Sequence, residues 1–399
     1  MPEAPKIICK NVWKIFGTYP NRTLENLDRS LSRAEVQAQT GHVIGVNDVS
    51  FDIKKGETFV VMGLSGSGKS TLVRCISRLI EPTAGEIFID GENIITYSKA
   101  QLTELRRFRM SMVFQHFGLF PHRKVIDNIS FGLEIRGMDK KVRKAKAMEV
   151  LEKVGLHGWA DHYPRELSGG MQQRVGLARA MAVDPEILMF DEPFSALDPL
   201  IRREMQDELL NIQAEVQKTM VFITHDFLEA IKMGDRIAVF REGKLVQYSP
   251  PDDLLSAPKN AFIESFLGED RALKRLNLVK VREVFSDDLG TVRPDDTLET
   301  ALSRIDEYGY QNAILMVNDR NEPAGMVTRS LARTTRGFCR DHFQVAPPVA
   351  ELDDDLRKVA SLMFANDMTW VACVDDDGRI VGQMDRLMTH HLEPAHVVA

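Results

Sequence analysis

The residues best suited to chemistry form one run from Gly63 to Thr71, Gly-Leu-Ser-Gly-Ser-Gly-Lys-Ser-Thr, which satisfies the spacing GxxxxGK[ST]. Gly63, Gly66 and Gly68 permit backbone conformations that a Cβ forbids, so successive N–H groups can close on an anion. Lys69 supplies a cation for β- and γ-phosphates, and the Ser70 hydroxyl is placed to ligate Mg²⁺. Ser65, Ser67 and Thr71 complete the run and count with it as nucleotide-contacting residues. The apolar run Phe59–Met62 precedes the loop and Leu72–Ile76 follows it, giving the strand–loop–helix context that the motif needs. The helix N-terminus adds its own unpaired N–H groups and dipole. These residues predict a nucleoside-triphosphate site.

Asp191 and Glu192 close a second apolar run, Ile187–Phe190. A carboxylate at that strand end can hold Mg²⁺ or its water shell opposite Ser70. Glu192 is then placed to polarise an attacking water, a contribution typically worth about 10²–10⁴-fold in rate. Leu167–Arg174 opens a helix with Ser168 as its N-cap, and Gly169 and Gly170 leave N–H groups at a positive helix end. Two phosphate cradles for one nucleotide point to a shared site whose second cradle comes from another copy of the domain.

The elements that must position these groups can be read in order. Residues 7–16 form a first strand ending in the aromatic Phe16. In residues 18–42, Leu24, Leu27, Leu31 and Ala34 recur at helical spacing and predict one short amphipathic helix between two strands. Strand character returns at Val43–Ile53, Glu86–Asp90, Met110–Phe114 and Thr219–Thr224, with Gln115 and His225 just past the last two. Residues 124–183 are mostly helical in pattern. Buried strands alternating with helices imply an α/β fold with a mainly parallel sheet and helices on both sides. From about residue 280 the chain repeats itself: Leu298 and Leu356 are offset by 58 residues, Gly325 and Gly382 by 57. The unit is helix–strand–turn–strand, in tandem.

Composition sets limits. With 399 residues the chain can hold two or three domains, and 44% apolar with 27% charged residues is the balance of a water-soluble protein. No apolar run reaches bilayer-spanning length, so a membrane role needs a partner. The N-terminus leads into a strand rather than an apolar signal core, so the expectation is that the chain is not secreted. From Lys280 onward 13 basic residues face 21 acidic ones, against 38 and 37 before it, with no basic stripe to bind nucleic acid. Cys9, Cys75, Cys339 and Cys373 lack metal-ligand spacing and read as small buried residues in a reducing compartment.

Leu167–Gln172 resembles the signature motif of the ATP-binding-cassette (ABC) family. Gly63–Thr71 is similar to that family's Walker A, Ile187–Glu192 to its Walker B, Gln115 to its Q-loop, Ser195–Asp198 to its D-loop and His225 to its switch histidine, all in family order. The resemblance implies a P-loop NTPase cassette over residues 1–270, with an antiparallel β subdomain, an insertion at about 18–42 and a helical subdomain at about 115–180. It implies ATP and Mg²⁺ as cofactors and a head-to-tail homodimer. Ser168, Gly169, Gly170, Gln172 and Asp198 of one protomer would then meet the nucleotide held by Lys69 of the other. Gln115 would join Ser70 and Asp191 at the metal. His225 would hold water, γ-phosphate and Glu192 in register, and Phe16, with Tyr19 in reserve, would stack on adenine. The aromatics of Gln115–His122 would receive a coupling helix from a membrane permease.

Residues 271–399 resemble a tandem pair of CBS domains, about 280–338 and 339–395. Together with the insertion they resemble the ATP-binding subunit of glycine betaine/proline importers. That class implies an ATPase coupled to uptake of quaternary amines or proline, peripheral on the cytoplasmic face of the inner membrane. It works with permease subunits and an extracytoplasmic substrate-binding protein. An importer of another small solute is the alternative. Adenosine-binding CBS motifs carry Ser or Thr followed three residues later by Asp, whereas here Leu331 follows Thr328 and Met388 follows Asp385.

Overall fold

The computed structural model describes residues 4–115, 118–345 and 348–385. The chain divides into two compact units, one ending at Phe266 and one beginning at Leu267, four residues before the expected boundary.

The first unit holds two sheets. Strands β1 (Ile7–Phe16), β2 (Val43–Ile53), β4 (Ala84–Ile89) and β5 (Glu92–Asn93) form an antiparallel sheet in the order β2-β1-β4-β5. Strands β3 (Thr58–Gly63), β6 (Met110–Val113), β7 (Ile187–Asp191), β8 (Thr219–Thr224), β9 (Arg236–Arg241) and β10 (Lys244–Ser249) form the second, in the order β10-β9-β3-β8-β7-β6. All its pairings are parallel except that of β10 with β9. Every residue of β3, β7 and β8 is buried, as a parallel sheet covered on both faces requires. Helices Val125–Ile129, Phe131–Ile135, Lys140–Lys153 and Gly169–Ala182 lie between β6 and β7 in the chain.

The insertion departs from the sequence reading. It forms two short helices, Pro20–Glu25 and Arg33–Thr40, instead of one. Between them the Asp28 carboxylate accepts the N–H and hydroxyl of Ser30, and a Ser32–Glu35 capping box restarts the helix. Leu24, Leu27 and Leu31 still share a face, packing with Ile15, Val36 and Ile44; Val36 takes the place expected of Ala34.

The second unit contains two copies of one topology. Strands β11 (Thr291–Val292), β12 (Ala313–Val317) and β13 (Pro323–Thr328) repeat as β14 (Ala350–Glu351), β15 (Trp370–Val374) and β16 (Ile380–Asp385), with helices Leu298–Glu307 and Leu356–Ala365 at equivalent places. The copies share a core: Trp370, Ala372 and Val374 pack in the same cluster as Ile314, Leu315 and Val317. The repeated glycines mark close backbone crossings. Ser286 and Gln383 exchange N–H···O bonds of 2.9 and 2.8 Å, as do Met326 and Gln344. A Cβ on Gly382 would lie 2.1 Å from the Ser286 carbonyl oxygen, and one on Gly325 would lie 2.5 Å from the Phe343 ring. The end of the second expected repeat, with Met388, lies outside the described residues.

Replacing Gly382 with Ala should separate the Ser286 crossing and destabilise the second unit by about 1–3 kcal/mol. Chemical denaturation of the full chain would show this as a lowered transition for that unit, with the first unit's transition in place. An unchanged midpoint would remove the close-crossing argument.

Candidate functional site

Parallel order places three loops side by side. Met62 pairs with Thr224, and Ile223 pairs with both Val61 and Asp191. Gly63, His225 and Glu192 therefore emerge from neighbouring strands at one carboxyl edge, where open α/β sheets bind ligands.

The phosphate loop is constrained to glycine where the motif has it. Gly68 has φ +105°, and a Cβ there would lie 2.2 Å from the Gly45 carbonyl oxygen. Lys69 is 5% exposed and donates to the carbonyls of Gly63 (2.9 Å) and Leu64 (3.2 Å), with Glu192 Oε1 at 3.9 Å. Burial lowers its pKa, against which Glu192 and Asp191 hold the charge. Ser67 Oγ is buried with no hydrogen-bond partner among the described residues, as a donor facing an anion site would be. The cavity over this loop, about 280 Å³, is lined by Phe16, Arg33, Gly45, Glu192 and the loop from Ser65 to Thr71.

Ser70 donates to Asp191 Oδ1 at 2.8 Å, and Arg74 reaches Oδ2 at 3.3 Å. A hydroxyl and a carboxylate beside a phosphate cradle are the hard oxygen donors that Mg²⁺ takes, since it is usually held by one or two carboxylates plus substrate phosphate. Among the described residues no cluster of three His, Cys, Asp or Glu could hold a metal by itself.

Glu192 has φ +48°, a left-handed conformation unusual outside glycine, and its N–H donates to Ile223 O at 3.1 Å. Its carboxylate lies 3.1 Å from His225 Nδ1 on the side opposite Lys69's contact through Oε1. Gln115 Nε2 donates to Ser195 Oγ at 3.2 Å, and Ser195 Oγ donates to the Glu192 carbonyl at 3.0 Å. Gln115 is thus tied to Glu192 through a serine that the sequence pattern does not single out as a site residue.

The signature residues stand elsewhere. Ser168 caps Gly169–Ala182, accepting the Met171 N–H at 3.3 Å, and Gln172 Nε2 donates to Leu167 O at 3.2 Å. A Cβ on Gly170 would lie 2.6 Å from Ile201. Asp198 caps Pro199–Val216 through the N–H groups of Leu200 and Ile201, each at 3.1 Å. None of Ser168, Gly169, Gly170, Gln172 and Asp198 lines the loop cavity. Of the two aromatics weighed for adenine, Phe16 lines it, while Tyr19 is 81% exposed and faces a groove of the insertion. In the segment after Gln115, His116 and Phe117 lie outside the described residues. Phe120 packs on Phe131 with ring centroids 4.5 Å apart, whereas His122 is exposed, as is Phe114 just before the segment.

Behind His225, buried Glu229 accepts from Gln206 Nε2 at 3.0 Å. Burial raises its pKa, with the Thr224 and Gln206 hydrogen bonds opposing. A raised folded-state carboxylate pKa means the folded chain holds that proton more tightly, so this group lowers stability as pH rises above the ordinary value near 4.5. Glu229→Gln should therefore be stabilising relative to the native chain by an amount that grows from about pH 5 to about pH 8. Denaturation midpoints measured at both values check this; a pH-independent difference would contradict it.

Comparison with known proteins follows the same division. Residues 46–195 match the ABC transporter family and residues 281–330 the CBS domain. The chain is 46% identical over 325 residues to the glycine betaine/proline betaine transport system ATP-binding protein of Escherichia coli, spanning 81% of this chain and 78% of that one. It is 54% identical over 266 residues to the trimethylamine N-oxide transport system ATP-binding protein of Ruegeria pomeroyi, 67% of this chain and 78% of that one. A solved dimeric ATP-binding cassette in a post-hydrolysis state, bound to ADP and phosphate, is similar at 32% identity and TM-score 0.52, over 61% of this chain and 98% of its own. The chain belongs to the ABC transporter family, among its ATP-binding proteins, with a CBS domain following its cassette.

Proposed function

We propose that this chain binds MgATP on its own phosphate loop and completes the site with the Ser168–Gln172 segment and Asp198 of a second copy. The observation that carries this reading is the cavity lined by Phe16, the loop and Glu192, with the signature residues absent from its lining. The dimeric, ADP-bound relative supports the same arrangement. Phe16 offers its ring to adenine and Lys69 its charge to the β- and γ-phosphates. Ser70 and Asp191 would hold Mg²⁺, with Gln115 beside them; the ion, when bound, neutralises charge on the phosphate oxygens. Glu192 orients and polarises water, while His225 holds the Glu192 carboxylate and senses the γ-phosphate.

Hydrolysis then drives uptake of a quaternary amine such as glycine betaine through separate permease subunits, fed by an extracytoplasmic binding protein. Among the described residues no helix is long and apolar enough to cross a membrane, which fits a peripheral place on the cytoplasmic face. The similarity to a trimethylamine N-oxide system favours a second solute of the same class, a small methylated amine. Residues 271–399 are read as a tandem CBS pair, the second copy on its shared topology. The Thr328 hydroxyl caps Arg329–Thr334, and the residue three further on is Leu331 in place of the ribose carboxylate, which disfavours adenosine there.

Glu192→Gln should retain ATP binding, accumulate a nucleotide-bound dimer and slow turnover by about 10²-fold or more. Single-turnover hydrolysis and sedimentation measure both, and rapid hydrolysis would remove Glu192 from its role. Vesicles holding this subunit with its permease and binding protein should take up labelled glycine betaine only with ATP. Run across internal ionic strength, with and without residues 271–399, uptake should respond to salt only in the full chain. Hydrolysis with uptake of trimethylamine N-oxide alone would select the second solute.

A further inference from the structure

Arg33 belongs to the insertion, outside every cassette motif, yet it lines the nucleotide cavity. Its guanidinium donates to the carbonyl of Gly66, in the middle of the phosphate loop, at 2.7 Å. Packing explains how it reaches there. Val36, one turn further along the same helix face, is buried against Ile15 and Ile44, the residues adjacent to Phe16 and Gly45. Ile15 and Ile44 are themselves cross-strand partners, so the helix is seated on a fixed pair. The Ser32–Glu35 capping box sets where the helix begins and uses the Glu35 carboxylate on the Ser32 N–H at 2.7 Å. The ring of His42 lies between the carbonyls of Thr18 and Thr40, at the two ends of the insertion.

A guanidinium carries five N–H donors. Among the described residues Arg33 makes no ion pair, and the Gly66 carbonyl is its one protein acceptor. Unengaged donors of a permanently charged, planar group at the rim of a phosphate cradle match phosphate oxygens, which such a fork takes in pairs. Lys69, the other cation of the cavity, is buried and engaged with loop carbonyls.

We propose that Arg33 is a further nucleotide-binding residue, which contacts the phosphate chain of bound ATP and carries the insertion onto the nucleotide as a clasp. The inference rests on the assignment of the loop as the ATP site. It makes the insertion part of the binding apparatus. Nucleotide affinity in this chain then depends partly on a segment outside the cassette motifs, and exchange of nucleotide requires the Arg33 contact to part.

Binding of MgATP and MgGTP to the full-length chain, titrated over a range of salt, tests it. Arg33→Ala should weaken both nucleotides alike, by about tenfold, because the lost contacts are to phosphate and not to base. It should also flatten the salt dependence, since one cation no longer faces the polyphosphate. Arg33→Lys should restore part of the affinity and the salt dependence, having the charge without the fork. Affinity within about twofold of the native chain for Arg33→Ala would overturn the proposal. So would weakened binding with the native salt dependence, which would confine Arg33 to holding the Gly66 carbonyl. Lys69→Ala separates the two levels: native affinity in that variant would undo the site itself, whereas its loss beside an unaffected Arg33→Ala would undo only the clasp.

Discussion

The parallel register of β3, β8 and β7 is the constraint on which the site depends. Because Met62 faces Thr224 and Ile223 faces Asp191, the phosphate loop, His225 and Glu192 leave their strands within one residue of a common line. A slip of one residue would turn each apolar strand over and carry its terminal group to the other face. Fully buried side chains along all three strands hold the register, with Phe190 and Phe222 at ring centroids 5.6 Å apart between neighbours. Burial of these strands thus does two things at once: it makes the core and it aligns the chemistry.

On that frame the charges form a short chain. Lys69, Glu192 and His225 follow one another at 3.9 and 3.1 Å, while Ser70, Asp191 and Arg74 form a second line beside them. Glu192 holds a left-handed backbone, and Ser195 links its carbonyl to Gln115. The Glu192 carboxylate is thus contacted from two sides, by Lys69 and His225, while its backbone is tied down separately. The signature serine and glycines, by contrast, are occupied in starting and packing their own helix. Within one copy of the chain these residues do not reach the cavity over the phosphate loop.

The second unit solves a smaller problem in the same way. Each of its copies has a two-residue strand, a three-turn helix and a hairpin, too little to bury its own apolar face. Packing Trp370, Ala372 and Val374 against Ile314, Leu315 and Val317 makes one core from two copies. Glycine at 325 and 382 lets a further extended segment cross each hairpin at van der Waals distance. That crossing explains why glycine stands at both repeat positions although neither needs a positive φ.

The sequence by itself determined what is local. Three glycines before Lys69 and Ser70, Asp-Glu after four apolar residues, and serine before two glycines are properties of a few bonded neighbours, and each stands where the local pattern places it. The 57-residue offset likewise announced two copies of one fold. Contacts between distant segments were decided only by tertiary structure. The leucine spacing of the insertion gave its apolar face but not its break, because the Asp28 turn and the Ser32 cap outcompete a continuous helix. The approach of Phe16 to the phosphate loop, the Ser195 bridge from Gln115, and the reach of Arg33 to Gly66 each join residues far apart in the chain. No period of two or 3.6 residues records them, since they follow from which surfaces the buried strands bring together.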